Sequence, residues 1–368
     1  MVAPDEVTQV AKVAQCQEQF AEFARTVGRD TPLYGALAST IAGDRALAGL
    51  LLAAPVAQRQ PVLLFACVHS LLLRDLDDPL AAWYPNLTPS ARPHDDGLGT
   101  AFAAFCAGHS DELSEMLATR RTQTNEIGRC ALFAPAFAVV TPSVGALAHL
   151  DIGASAGLNL LIDRYQIHYR PDGVVGGESA VRLTCERRGA VPIPFPPGHA
   201  PVRGRIGLDL DPVDVTDAEQ VRWLEACVWP DHVERFELLT AAIEMARIEP
   251  PDVRRGDAVT DTPALVRELA VHGHPIVTTS WVMSYLSTDE RQQFVTGLDD
   301  TARDMDLSLL YAENPALCPE LPSAPDVGGH RSVPTAVVLV TWRNGRRLAR
   351  HLADGHPHGR WMRWLDTG

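Results

Sequence analysis

At Pro142 the periodicity of the chain changes, and that change constrains the fold more than any other feature. Before it, apolar residues recur at helical spacing. In VAKVAQCQEQFAEFARTV, Val10, Val13, Phe20, Phe23 and Val27 line one helical face. YGALASTIAGDRALAGLLLAAP and PVLLFACVHSLLLRDL follow, each closed by proline or charge. After the loop PNLTPSARPHDDGLG, the segment from Thr100 to Phe137 reads as helical again, with a break expected at Gly108-His109. Beyond Pro142, short β-rich apolar runs alternate with amphipathic helices, which predicts parallel βαβ units.

The first unit is the strand GALAHLDIG and the helix GLNLLIDRYQIHY. GRIGLDLDPVDV, PDVRRGDAV, HPIVTTSW and LSLLYAEN supply four more strands. Thr216-x-x-Glu219 and Ser287-x-x-Glu290 read as capping boxes opening two helices. TAVVLVTWRNGRRLARHL then gives two β-like runs around Asn344-Gly345, a type I′ hairpin signal. Residues 170–203, rich in Gly and Pro, read as an inserted hairpin and loop at the sheet edge or over its ligand face. The expected architecture is therefore α/β. An all-helical domain over 1–141 precedes a doubly wound, mostly parallel, seven-stranded Rossmann-like sheet over 142–368, closed by an antiparallel hairpin.

Composition narrows the partners. The chain of 368 residues carries a formal net charge of −14 and lacks a basic stripe, which argues against nucleic acid. The run VLLFACVHSLLL, Val62 to Leu73, is too short to span a bilayer and suits a buried helix. No signal peptide is read at MVAPDEVTQV, no basic membrane-surface helix is read, and the 7 cysteines are scattered. These features predict a cytoplasmic protein with reduced thiols.

The stretch HLDIGASAGLNLLIDRY, His149 to Tyr165, carries the chemistry. In doubly wound sheets ligands bind beyond the carboxyl ends of the strands. Gly153, Ser155 and Gly157 would let the backbone pass close to a ligand, and the next helix would add its amides and dipole. A pyrophosphate-binding turn wants G-x-G-x-x-G, and the third glycine is absent. Asp151, just before the turn, would face an anion unfavourably and suits a ligand with an ammonium and a sulfonium.

This stretch resembles motif I of the class I S-adenosylmethionine-dependent methyltransferases, (D/E)-h-G-x-G-x-G, with Ser155 at the central glycine. The resemblance covers roughly residues 142–368 and implies S-adenosyl-L-methionine as cofactor. It implies that the acid ending IGLDLDP, Asp209 or alternatively Asp211, holds the ribose diol. It also implies that Asp257 in RRGDAV meets the adenine amino group, and that Ser280 and Trp281 sit beside the reacting methyl. The gap between the two acids is 209 − 151 = 58 residues, where about twenty is usual. The insertion accounts for it, with Glu186 as the other candidate. The whole chain also resembles a bacterial family without assigned function, through NEIGRC, GASAGLNL and HPHGRWMRWL.

Other candidates each have a plain alternative. Asn125 and Glu126 are expected on a helix, reaching from the helical domain over the substrate, which would make that domain a lid. Alternatively, Glu126 and Arg129 pair on the surface. Tyr285 lines the substrate pocket or fills core. Glu313, with Asn314, orients substrate or caps a turn. His330 is a general base in a loop or faces solvent. His356-Pro-His-Gly359 offers two histidines without a third ligand nearby, so a turn is expected and no metal.

The expected function is methyl transfer to a small molecule or peptide. Glu126, Tyr285 and His330 are the catalytic candidates, and Asn125, Glu126 and Glu313 the substrate contacts. The rival is an inactive S-adenosylmethionine- or nucleoside-binding sensor or scaffold. A nicotinamide oxidoreductase stands third. Thr279-Ser280-Trp281 lacks the proline-aromatic run of base methylases, which argues against DNA as substrate.

Overall fold

A computed structural model describes residues 4–195, 198–323 and 334–366. The chain forms two compact units: Met1–Thr124 with Asp217–Thr240, and Asn125–Thr216 with Ala241–Gly368. Helices precede the first strand: α1 (Pro4–Thr26), α2 (Pro32–Gly43), α3 (Arg45–Leu50), α4 (Pro61–Arg74), α5 (Asp96–Gly108), α6 (Ser110–Thr119) and α7 (Cys130–Val144).

The first unit is helical. Prolines at the first turn open α2 and α4, where a missing N–H removes nothing from the helix ladder. The Asp44 carboxylate caps α3 through the amides of Ala46 and Leu47. The chain breaks between α5 and α6 at His109, as its glycine predicts. Tyr34 stacks on Phe65 at 4.4 Å between centroids, and Phe20 meets the same ring edge-on. His69 sits within α4 with Nδ1 at 3.0 Å from the Ala226 carbonyl and Nε2 at 2.9 Å from Asn86. Burial pushes it down to about 4, so it is a neutral core histidine. Helix α8 (Ala218–Ala226) adds Trp223 to this core, and α9 (Val233–Ile248) contains the point where the units divide. The cap of α8 is Asp217, one residue past the expected Thr216.

The second unit is a mixed α/β structure around one sheet. Its strands are β1 (Leu147–Ile152), β2 (Gln166–Arg170), β3 (Gly173–Val175), β4 (Arg182–Arg187), β5 (Val202–Asp209), β6 (Val253–Arg255), β7 (His274–Ser280), β8 (Leu307–Glu313), β9 (Thr335–Arg343), β10 (Arg346–Gly355) and β11 (Trp361–Trp364). Their order is β3-β2-β4-β11-β10-β9-β8-β7-β1-β5-β6. The five strands β6-β5-β1-β7-β8 are all parallel neighbours. Alternation along β1 sends Ala148, Leu150 and Ile152 to a core shared with α10 (Thr262–Leu269) and α11 (Thr288–Thr301). His149 and Asp151 face the other way. The box of Ser287 and Glu290 caps α11, and Asn344 and Gly345 both have positive φ in the β9–β10 turn.

Three expectations are corrected. The sheet has eleven strands among the described residues, not seven. The inserted segment contributes β3 and β4 to the sheet, and β11 joins β4 to the closing hairpin by pairing Trp361 and Met362 with Glu186 and Arg187. The helix expected after β1 is a seven-residue 3-10 turn, Leu158–Arg164, followed by β2. Leu158 to Ile162, Asn159 included, are all buried, so this stretch has no solvent-facing side, and the Tyr165 hydroxyl ties back to the Leu158 carbonyl at 2.6 Å. Finally, NEIGRC is not a helix at Asn125 and Glu126; a 3-10 turn begins at Ile127.

Among the described residues one helix, Ile127–Val144, is long and apolar enough to cross a membrane, with 56% of it buried within the protein, and the bent pair Pro32–Gly43 with Arg45–Ala53 passes the same test only if taken together. All seven cysteines are free, six of them buried.

Candidate functional site

Strand β1 lies at the point where the parallel connections reverse direction across the sheet, with β5 on one side and β7 on the other. The carboxyl ends of these strands gather most of the residues singled out by the sequence. Asp151 pairs in register with Thr278 of β7, whose hydroxyl donates to Asp151 Oδ1 at 2.6 Å. That hydroxyl then accepts from His149 Nε2 at 2.7 Å. Burial pushes Asp151 up to about 7, the Thr278 bond and Arg129 oppose this, and the charge of Asp209 adds to it. His149 is pushed down to about 3 by burial and by Arg205.

The turn after β1 is tight. Gly153, Ser155 and Gly157 all have positive φ, and serine at +53° is in a conformation that favours glycine. A Cβ on Gly153 would lie 2.3 Å from Val282, and one on Gly157 2.6 Å from Val253. The glycines thus make room for the protein's own side chains. The turn amides are also engaged. Gly153 and Ala154 donate to the Leu208 carbonyl, Gly157 to that of Ala154, and Leu158 to Asn125 Oδ1 at 3.1 Å. With a seven-residue 3-10 turn in place of a helix, the expected cradle of amides and dipole is corrected. What remains is Ser155 Oγ, a buried hydroxyl with no partner among the described residues, in a residue only 4% exposed.

Asp209, half-buried at the end of β5, accepts the Ser155 amide at Oδ2 and the Asp211 amide at Oδ1, each at 2.8 Å. Asp211 is exposed and pairs with Arg255. Glu186 lies in β4, separated from β1 by five strands, so the turn and Asp209 come together while Glu186 does not. Asp257 Oδ1 accepts the amides of Val259 and Thr260 at 2.8 and 3.0 Å, a capping turn after β6.

At the exit of β7, Ser280 is buried and Trp281 has φ +56°, with its indole N–H donating to Thr335 Oγ1 at 3.1 Å. Arg129 Nη1 donates to the Ser280 carbonyl at 2.8 Å and reaches its hydroxyl at 3.3 Å. Glu313, at the end of β8, is 1% exposed. Its Oε1 accepts the amides of Val282 and Met283 at 2.9 and 3.1 Å, and its Oε2 has no partner among the described residues. Burial pushes it up to about 7, against those amides and the charge of Arg129.

Glu126 and Arg129 take separate partners. Glu126 Oε2 accepts from His358 Nδ1 at 2.7 Å, and Arg129 Nε donates to the Pro357 carbonyl at 2.9 Å. His356 to Gly359 is the turn between β10 and β11, closed by Gly359 donating to the His356 carbonyl. Tyr285 is 87% exposed on a short 3-10 turn, and His330 lies outside the described residues. Arg129, Thr278 and His358 escaped notice as site residues. Their partners are remote in sequence, and only the presence of arginine in NEIGRC and of two histidines in HPHG drew attention to the segments that carry two of them.

The family model described as "uncharacterized protein conserved in bacteria" (DUF2332) matches residues 17–364. No curated protein and no solved structure matches the chain.

Proposed function

The chain belongs to that bacterial family, DUF2332, and from this premise we propose that it is an S-adenosylmethionine-dependent methyltransferase with a Rossmann-like core, acting on a small molecule or a peptide. One observation carries the reading. At the switch point of the parallel order β6-β5-β1-β7-β8, the acid ending the second strand clasps the turn that follows the first.

The donor set fits such a group through acids and a hydroxyl, rather than through turn amides. Ser155 Oγ is a buried hydroxyl without a partner among the described residues, and Asp151, Asp209, Asp257 and Glu313 surround the strand ends with carboxyl groups. That chemistry suits a cationic ligand. Asp209 would hold the ribose diol, since its oxygens keep lone pairs beyond the two amides they accept. Asp257 would meet the adenine amino group, Ser155 and Asp151 the amino-acid end, and Ser280 and Trp281 the region of transfer.

The bound group supplies an electrophilic methyl on sulfonium. The protein then has to align a nucleophile and exclude water. The left-handed backbone at Trp281 holds its indole at the exit of β7, and Glu313 fixes the next two amides. Asn125 braces the turn through the Leu158 amide. The free thiols accord with residence in a cytoplasm.

A second reading, a sensor or scaffold that binds the ligand without turnover, is favoured by the packing of Val282 and Val253 into the glycine positions. Isothermal titration with S-adenosylmethionine, S-adenosylhomocysteine and NAD tests the proposal. Binding of the two sulfur ligands, weakened in Asp209→Ala, is expected. No binding of either sulfur ligand overturns it, and binding without turnover across a metabolite panel selects the scaffold.

A further inference from the structure

Two segments far apart in the chain are locked together backbone to backbone. Gly359 has φ +68°, and a Cβ there would lie 1.9 Å from the Gly128 carbonyl oxygen. A Cβ on Gly128 would lie 2.3 Å from the His358 carbonyl oxygen. The Arg129 guanidinium fastens this joint to the end of β7, through Pro357 on one side and Ser280 on the other.

The joint holds a carboxylate against an imidazole. Glu126 and His358 are 232 residues apart in sequence, and the Nδ1–Oε2 distance is 2.7 Å. The Glu126 side chain is 7% exposed, and its Oε1 is occupied by the Gly128 amide at 3.3 Å. A carboxylate at Nδ1 keeps the proton there and leaves the lone pair on Nε2. The His358 side chain is 31% exposed, and Nε2 has no hydrogen-bond partner among the described residues. The neighbouring His356 differs. Its Nδ1 accepts the His358 amide at 3.0 Å, and burial first, then His358 and Arg360, push it down to about 4.

We propose that Glu126 and His358 form a proton-accepting dyad beside the exit of β7, with His358 Nε2 taking the proton of a substrate hydroxyl or amine. His358 is the catalytic residue and Glu126 its positioning residue. The identity of the reaction rests on the methyl-transfer reading; the dyad itself rests on geometry. In the step, the substrate O–H or N–H bond breaks and its proton passes to Nε2. The electron pair left behind bonds the methyl carbon, while the methyl–sulfur pair goes to sulfur and leaves a neutral thioether. The Glu126 carboxylate stays ionised and holds the imidazolium.

The test uses the full chain labelled with ¹⁵N. Long-range correlation spectra assign the His358 tautomer, with His356→Gln serving only for assignment. The expected result is a neutral wild-type ring protonated at Nδ1, and a ring protonated at Nε2 in Glu126→Gln, whose amide donates to Nδ1 instead. That variant keeps the Gly128 acceptor, and the wild-type tautomer needs no variant at all. The charged groups acting on the adjoining His356 are His358, Arg360, Glu126 and Arg188, and the Arg129 guanidinium lies against the Pro357 carbonyl. In methyl transfer from labelled S-adenosylmethionine to a bacterial metabolite extract, His358→Gln lowers kcat about a hundredfold or more with the donor Kd unchanged. Glu126→Gln lowers kcat by a smaller factor with the donor Kd unchanged and carries the changed tautomer, a signature that a merely structural clamp would not give. A proton on Nε2 of the wild-type ring, or a tautomer indifferent to Glu126→Gln, overturns the dyad. The expected tautomers in a chain that binds no sulfur ligand support the dyad and overturn only the methyl-transfer reading.

Discussion

Asp209 at the end of β5 accepts the amide of Ser155 in the turn after β1, at 2.8 Å. The same carboxylate takes the Asp211 amide. One side chain therefore fixes the mutual position of two strand ends, and its loss has two separable effects. Asp209→Ala leaves the part-buried Ser155 amide without its acceptor, which costs about 1–3 kcal/mol in urea unfolding. If the chain binds S-adenosylmethionine as proposed, the same variant should weaken it by about tenfold in calorimetry. Asp209→Asn, keeping one carbonyl oxygen, falls between.

Glu313 gives a signed pH dependence. Its folded value, raised by burial to about 7, lies above the ordinary 4.5. Between those values the folded chain keeps a proton that the unfolded chain has released. The stability this group contributes is thus fully present below about 4.5, is lost as pH rises to about 7, and stays lost above. Glu313→Gln, which still accepts from the amides of Val282 and Met283, removes that slope. The stability of the variant relative to wild type should rise by on the order of 3 kcal/mol from pH 4.5 to 8. Parallel denaturation series at several pH values check it, and a flat difference contradicts the burial of this acid.

Ser155 combines a left-handed backbone with a buried hydroxyl that has no partner among the described residues. Ser155→Gly relieves both and should raise stability by about 1 kcal/mol, read as a higher Tm. If the hydroxyl serves a ligand, the same variant binds S-adenosylmethionine more weakly. Stability and affinity then move in opposite directions.

Gly345 and Gly359 share a left-handed φ but not their surroundings. Nothing lies within 4 Å of a Cβ on Gly345, whereas one on Gly359 would meet Gly128 at 1.9 Å. Gly345→Ala should cost about 1 kcal/mol for the backbone alone. Gly359→Ala should cost roughly 3 kcal/mol or more, because backbone must move against backbone. The difference, from urea titrations of both variants, measures how firmly the two segments are locked.

What the chain disclosed locally, it disclosed well. The runs ending at Ile152, Asp209, Ser280 and Glu313 are strands, because each is an apolar stretch bounded by turn residues, and PDVRRGDAV is a strand only over Val253–Arg255, where it pairs with β5. Ser287 and Glu290 form the expected reciprocal cap, and Asn344-Gly345 the expected hairpin turn. Where the reading failed, the deciding partner was remote. QIHYR reads as the tail of a helix until β4 lies beside it, yet Ile167 and Tyr169 are buried and their neighbours are not, the period of a strand. Pairing of β11 with Glu186 and Arg187 has no local signal at all. Among the site residues, Asp151, Ser155 and Asp209 come together around one turn. His358 became visible as a partner of Glu126 only in three dimensions, and Tyr285 turned out to face solvent.

The helical unit is assembled from two stretches of chain, Met1–Thr124 and Asp217–Thr240, with β1 to β5 running between them. No single cut separates the units. On the ribosome, the first six helices emerge long before Trp223, a member of their shared core. A nascent chain halted between residues 125 and 216 therefore carries an unfinished helical core along with an unfinished sheet. The order of synthesis is not the order of completion, and truncation at residue 124 or 216 leaves a fragment without Trp223 in its helical core.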